Sequence, residues 1–167
     1  MLHQPMEPEH LREAHFEPGT LHRAMPAHEF HSTLTAAVNA IPEIRGMSNH
    51  TGSLLTADEG AMRQLMTRLR TTGLYFLDSR TTPRTVAHRT ARQHDVPTIG
   101  RDIFLDHEPT EAHVRQQFDR ALRIMQRRGR VVVIGHPHDV TLEFLSEKVA
   151  TLPQTTRRRL VRYCSAD

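Results

Sequence analysis

Apolar residues recur at helical spacing in four segments of the chain, and each segment predicts an amphipathic helix. The first runs from Ala27 to Ile41 and is stopped by Pro42. A capping-box pattern at positions 56–59 opens the second, which Gly73 closes. Thr110 and Asp139 begin the third and fourth, and the third ends at Gly129. The predicted apolar faces comprise Phe30, Leu34, Ala37, Val38 and Ile41; Met62, Leu65, Met66 and Leu69; Val114, Phe118, Ala121, Leu122 and Met125; and Leu142, Phe144, Leu145 and Val149.

Short apolar runs between these helices predict β-strands. Residues 74–77 and 131–134 are the clearest, 96–99 and 160–163 are weaker, and 1–3 resemble the end of a strand. A further helix should begin at Pro83 with Thr82 as its cap. We expect residues 46–53 and 101–106 to be loops. This alternation of strands and helices predicts βα units around a mainly parallel sheet or barrel.

In parallel α/β folds, functional side chains gather at the carboxyl ends of the strands. His3, His50, Asp78 and His136 all lie near a predicted strand end or in the following loop. The stretch around Asn49 and His50 consists of small and polar residues, which let a ligand approach the backbone closely. These positions are therefore the first candidates for a functional site.

The composition indicates a globular protein. With 167 residues the chain is long enough for one domain with its own core, and 37% hydrophobic with 25% charged residues is not the composition of a disordered chain. The lone Cys164 cannot form an internal disulfide. No apolar run approaches the roughly 20 residues that span a bilayer, and no secretory signal pattern is present as written.

Arginine supplies nearly all of the positive charge. The formal net charge is +3 and the sequence pI is about 9.7, with Lys148 the single lysine. Basic clusters occur at 127–130 and 157–159, but no aromatic residues interleave them. A nucleic-acid interface needs a continuous basic footprint. We therefore expect no nucleic-acid partner.

Five segments together, in this order, resemble the divergent polysaccharide deacetylase family of bacteria: 2–8, 49–53, 76–81, 101–106 and 134–137. The similarity extends over nearly the whole chain, from Leu2 to about Ser165. The resemblance implies a distorted (β/α) barrel, a divalent metal that is usually zinc, and hydrolysis of N-acetyl groups on a polysaccharide. It also implies a periplasmic or envelope location.

The chain departs from the family pattern at its beginning. Members start with a strand that ends in paired aspartates, one expected to bind the metal and the other to act as base, and this part has no counterpart here. We therefore expect a single partial domain over residues 1–167 that lacks the first strand or strands of the barrel. The cause could be a domain fragment, a misplaced start or a degenerate copy. Gln4 and Thr51 also replace residues more usual in the family.

Carried over residue by residue, the resemblance implies that His3 and His50 are metal ligands. Zinc in a hydrolase normally has about three protein ligands, so two imidazoles alone should hold it weakly. His136 is the candidate acid for the leaving amine, although a structural histidine is an equal alternative. Asp78 and Arg80 could orient His136 or a substrate hydroxyl, or could tie two loops together by a salt bridge.

The remaining polar residues are weaker candidates. Asp102 and Asp106 could be paired carboxylates, but capping a helix or pairing with Arg101 is the more ordinary role. Glu7 could replace the missing carboxylate, or be a solvated loop acid. The other histidines share no predicted face and are expected mostly at the surface: His10, His15, His22, His28, His31, His88, His94, His107, His113 and His138.

The function predicted from these observations is a metal-dependent carbohydrate N-deacetylase domain with little activity as this chain stands. The alternative is a non-catalytic envelope protein that keeps the fold in order to bind a glycan or a protein partner. Metal content separates the two, because only the first requires His3 and His50 to hold an ion. The sequence does not specify the sugar or the oligomeric state.

Overall fold

The computed structural model describes residues 1–152 of the chain. By contacts between Cα atoms, the chain divides into two compact units, Met1–Gly100 and a second unit that begins at Arg101. Parallel strands and connecting helices make up both units, which confirms the predicted α/β class. Closure of the strands into a barrel stays a prediction, as does the single domain over residues 1–167.

The first unit is built on a four-stranded sheet in which every neighbouring pair of strands is parallel. The strands lie in the order in which they occur in the chain. A helix lies between each strand and the next, as parallel pairing requires. The elements are β1 (Leu2–Met6), α1 (Ala27–Asn39), β2 (Gly46–Thr51), α2 (Glu59–Thr72), β3 (Tyr75–Asp78), α3 (Ala87–Gln93) and β4 (Thr98–Gly100).

The register of the sheet separates a core face from a polar face. Leu2 pairs with Met47, and Met47 pairs with Phe76. These three side chains are buried in one hydrophobic cluster, together with Leu65 and other residues of the helices. Because side chains alternate along a strand, the neighbouring positions point to the opposite face. His3 pairs with Ser48 and therefore lies on the face opposite this core.

The second unit contains a parallel pair of short strands and two helices. Ile103–Phe104 (β5) pairs with Val133–Ile134 (β6), and Glu111–Arg128 (α4) connects them. Asp139–Thr151 (α5) follows β6. The core of this unit contains Ile103, Leu105, Ala121 and Ile124.

Several helix boundaries agree with the sequence analysis. Helices α2 and α4 end at Gly73 and Gly129, whose φ angles of 70° and 69° are left-handed. The hydroxyl of Thr110 accepts a hydrogen bond from the backbone of His113 and caps α4 as predicted. The cap of α2 was predicted wrongly. Asp58 accepts from the backbone of Ala61, whereas the Thr56 hydroxyl donates to the carbonyl of Gly52.

Two segments that were expected to be loops contain strands, because sheet pairing overrides local composition. Most of residues 46–53 is strand β2, although the segment has the small polar residues of a loop, and part of 101–106 forms β5. The helix predicted at Pro83 begins only at Ala87. Leu142, predicted to face inward, is 49% exposed. The strand predicted at 160–163 lies outside the described residues.

Among the described residues, no helix is long and apolar enough to cross a membrane.

Candidate functional site

The structure brings His3 and His50 together on the polar face of the sheet. Nε2 of His3 lies 3.2 Å from Nδ1 of His50. The ring centroids are 5.0 Å apart, and the planes meet edge-on at 71°. Neighbouring parallel strands carry the two residues, and His50 lies two positions after Ser48, the register partner of His3. Two nitrogens each about 2.0–2.1 Å from a tetrahedral zinc lie roughly 3.3 Å apart, so the observed separation fits a shared ion.

Each of the two imidazoles has a further partner on its other nitrogen. Nδ1 of His3 lies 2.6 Å from the Ser48 hydroxyl, which is buried. Nε2 of His50 lies 3.5 Å from a carboxylate oxygen of Glu17. Partners of this kind orient histidines that bind metals and decide which ring nitrogen carries the proton. The pair is therefore held with Nε2 of His3 and Nδ1 of His50 facing each other.

A small cavity lies beside His50. Its volume is about 50 Å³, enough for one or two water molecules. Polar and apolar side chains line it, including His15, Phe16, Glu17 and Thr20. Water therefore has room next to the His50 ring.

Asn49, beside His50 in the chain, connects the ends of β2 and β3. Its side-chain oxygen accepts a hydrogen bond of 2.8 Å from the backbone of Ser79, and its amide donates to the carbonyl of Thr51 at 2.7 Å. The Thr81 hydroxyl donates to the same carbonyl. Thr51 has a φ of 51°, an unusual value for a β-branched residue, and its hydroxyl donates to the carbonyl of Met6. This network holds the turn after His50 in a strained conformation.

Asp78 is the last residue of β3, and Arg80 lies in the loop that follows it. One oxygen of the fully buried Asp78 carboxylate accepts from the backbone of Arg80, and the other accepts from the Thr85 hydroxyl. The Arg80 guanidinium lies so close to Gly100 that a Cβ there would come within 2.7 Å of its Nε. A cavity of about 450 Å³ is lined by Asp78, Arg80, Thr82, Pro83, Thr85 and His88.

In the second unit, Asp106 holds His136. The carboxylate of Asp106 is buried, and its Oδ2 accepts from the His136 backbone at 2.6 Å and from the Thr141 hydroxyl at 3.0 Å. Oδ1 lies 3.3 Å from Nδ1 of His136. The His136 ring contacts Phe104 edge-on and is half exposed. His138 lies beside this pair, with its ring centroid 5.8 Å from that of His136.

The two other carboxylates proposed from sequence have structural partners. Asp102 forms an ion pair with Arg128 at 3.3 Å and accepts a hydrogen bond from the backbone of Val132. Glu7 accepts from the backbone and the guanidinium of Arg23. Both carboxylates hold segments of the chain together.

Two residues that lie beside the candidate histidines in the structure were not among the candidates from sequence. Glu17 lies in a segment without periodicity, and no local signal connects it with His50. His138 was grouped with the surface histidines. Its spacing of two residues from His136 was the available signal, because the intervening Pro137 limits the conformations that separate the two rings.

Comparisons with known proteins identify the family. The chain is 39% identical over 153 residues to the uncharacterised protein YibQ of Escherichia coli K12, covering 92% of this chain and 47% of that protein. It is 36% identical over 154 residues to an uncharacterised protein of Haemophilus influenzae Rd, covering 92% of this chain and 54% of the relative. The chain thus spans about half the length of the curated relatives that it matches.

The fold is also found in a crystal structure. An uncharacterised protein of Agrobacterium tumefaciens C58 superposes with a TM-score of 0.84 at 25% identity, covering 89% of this chain and 60% of that one. The family model described as divergent polysaccharide deacetylase matches residues 1–160. The chain therefore belongs to the divergent polysaccharide deacetylase family.

Proposed function

We propose that this chain is part of a metal-dependent hydrolase that removes N-acetyl groups from a polysaccharide in the periplasm or cell envelope. The observation that supports this proposal best is the facing pair of ring nitrogens on His3 and His50, 3.2 Å apart. Family membership supports the substrate class.

His3 and His50 would hold the metal. Imidazole nitrogen is a preferred zinc ligand, and the Ser48 hydroxyl and Glu17 carboxylate keep the opposite nitrogens occupied. Without metal, the same two rings can share a hydrogen bond, with one nitrogen donating and the other accepting. When bound, a zinc ion would activate water and polarise the amide carbonyl.

Hydrolysis of an N-acetyl group consumes one water molecule and releases acetate and an amine. A proton must leave the attacking water, and the departing amine nitrogen must receive one. We assign the second role to His136, whose imidazole is oriented by the Asp106 carboxylate. No base is assigned among the described residues.

Arg80 would contribute to binding the sugar, while the buried Asp78 carboxylate holds the Arg80 backbone in place. Their cavity of about 450 Å³ lies in the usual size range of small-molecule sites. Its lining offers a guanidinium, an imidazole and threonine side chains, which can form hydrogen bonds with sugar hydroxyls.

The test is release of acetate from an N-acetylated oligosaccharide by the zinc-loaded full chain, for which we expect low but measurable turnover. We expect His3→Ala and His50→Ala each to abolish release, and the exposed helix residue His31 offers a matched control as His31→Ala. His136→Gln should lower the turnover rate with less effect on sugar binding. Acetate release that survives both His3→Ala and His50→Ala would contradict the proposal.

A second candidate is a non-catalytic domain that binds glycan. The observation in its favour is the cavity at Asp78 and Arg80, whose lining offers hydrogen-bonding groups for a sugar and needs no metal. This hypothesis predicts that Arg80→Ala lowers the affinity for an oligosaccharide and that His3→Ala leaves this affinity unchanged. It also predicts no acetate release with any divalent metal.

A further inference from the structure

We infer that Asp106, His136 and His138 form a divalent-cation site of the second unit, with ligands other than His3 and His50. One ligand atom from each of the three residues lies within 4.8 Å of the others. Within residues 1–152, this is the one group of three or more His, Cys or acidic side chains that meets this limit. Two imidazoles and a carboxylate are a ligand set that zinc uses in hydrolases.

Hydrogen bonds already hold the Asp106 carboxylate in an orientation that suits a metal ligand. Its Oδ2 is held by the His136 backbone and by the hydroxyl of Thr141, which is buried. Its Oδ1 faces the His136 imidazole at 3.3 Å, close to the separation of two zinc ligands in a tetrahedral site. Hydrogen bonds to a carboxylate ligand are the outer contacts that orient it toward a metal.

His138 supplies the third ligand. It occupies the N-cap position of helix α5, yet its side chain forms no capping hydrogen bond. Both His136 and His138 are exposed, so their rings can close by the distance needed, which is at most about 1.5 Å because no pair of ligand atoms is more than 4.8 Å apart and zinc ligands lie roughly 3.3 Å apart. Movement is therefore needed only in the two exposed rings, while the buried carboxylate stays in place.

Some charges near the start of α5 oppose cation binding and others favour it. The positive end of the helix dipole opposes a cation, whereas the carboxylates of Asp106 and Asp139 attract one. The site nevertheless offers three ligands, compared with two from His3 and His50, so it should be the tighter site of this chain. His136 is also the proposed acid. A cation bound at this site would therefore keep the His136 imidazole from transferring a proton, a consequence that rests on the proposed function.

The test is a Co²⁺ titration of the full chain followed by visible absorption, which reports nitrogen and oxygen coordination, with Zn²⁺ competition for affinity. We expect His138→Ala to weaken the tightest binding event at least tenfold. His107→Ala provides the control, because His107 also lies near Phe104 but outside the group. Asp106→Asn should weaken binding similarly, with circular dichroism showing whether the fold is kept.

The same Co²⁺ titration distinguishes failure of this inference from failure of the proposed function. His3→Ala and His50→Ala should leave the tightest Co²⁺-binding event unchanged and remove only a weaker binding event. Unchanged affinity in His138→Ala overturns the site in the second unit. Loss of the tightest event in His3→Ala also overturns it, and would instead place the stronger site at the His3 and His50 pair.

Discussion

Nε2 of His3 lies 3.2 Å from Nδ1 of His50, although 47 positions separate the two residues in the chain. Parallel pairing of β1 with β2 produces this contact, because the register places Ser48 opposite His3 and Pro5 opposite His50. A slip of one residue between these strands would turn one imidazole to the other face of the sheet. The candidate metal ligands therefore depend on strand register as much as on residue type.

Loss of the Ser48 hydroxyl should weaken metal binding at His3 without unfolding the protein. Ser48→Ala removes the contact of 2.6 Å that orients the His3 ring. Removal of such an outer partner typically lowers metal affinity 10–100-fold. The measurement is Zn²⁺ affinity in a His138→Ala background, with Ser53→Ala as the control, since Ser53 bonds the backbone of Glu9 instead. Equal affinity in the two serine variants would contradict the orienting role.

Asn49 should be important for stability because its side chain is 1% exposed and bonds both the end of β2 at Thr51 and the loop after β3 at Ser79. Asn49→Ala leaves the Ser79 backbone N–H and the Thr51 carbonyl each without this partner, so the free energy of unfolding should fall by about 1–3 kcal/mol. Asn49→Asp keeps the acceptor but loses the donor to Thr51, and should also destabilise the protein. Urea unfolding measures both variants, and the exposed Asn39 is the control as Asn39→Ala. A change no larger than that of the control would argue against the network.

The core of the first unit should respond strongly to loss of volume. Leu65 is fully buried in α2, and Leu65→Ala should lower the free energy of unfolding by about 2–5 kcal/mol because a cavity remains. Leu11 of the same unit is 52% exposed, and Leu11→Ala should change stability by less than about 0.5 kcal/mol. Denaturant titrations of the two variants give the comparison directly.

The ion pair of Glu9 with Arg84 predicts a local pH dependence. A hydrogen bond from Arg84 and its positive charge lower the pKa of Glu9 below its ordinary value. A carboxylate whose pKa is lowered on folding stabilises the folded state above its unfolded pKa, and this contribution is lost as the pH falls through the folded pKa. The contribution is small because both side chains are solvent-exposed.

Arg84→Gln should therefore return the pKa of Glu9 to its ordinary range. Carboxyl NMR signals followed through an acid titration measure the change. Arg89→Gln is the matched control, because Arg89 pairs with Glu59 instead. If Glu9 titrates identically in the parent protein and Arg84→Gln, the attribution to Arg84 is wrong.

The sequence alone determined the α/β class, the helices from α1 to α5 in outline, and the family. These features depend on residues that are close together in the sequence. The apolar repeat of α4 and the glycines after α2 and α4 act within a few residues of the chain, and each of the five family segments is a short continuous run of residues. His3, His50 and His136 were likewise identified from local motifs.

Only the tertiary structure decided which side chains meet. A strand assignment for 46–51 required pairing with β1 and β3, because the local residues Gly46, Ser48 and Asn49 favour a turn. The ion pair of Glu17 with His50, and the proximity of His138 to Asp106 and His136, depend on the paths of the loops that follow the strands and helices. Hydrophobic burial and sheet register set these positions, and both are properties of the whole fold.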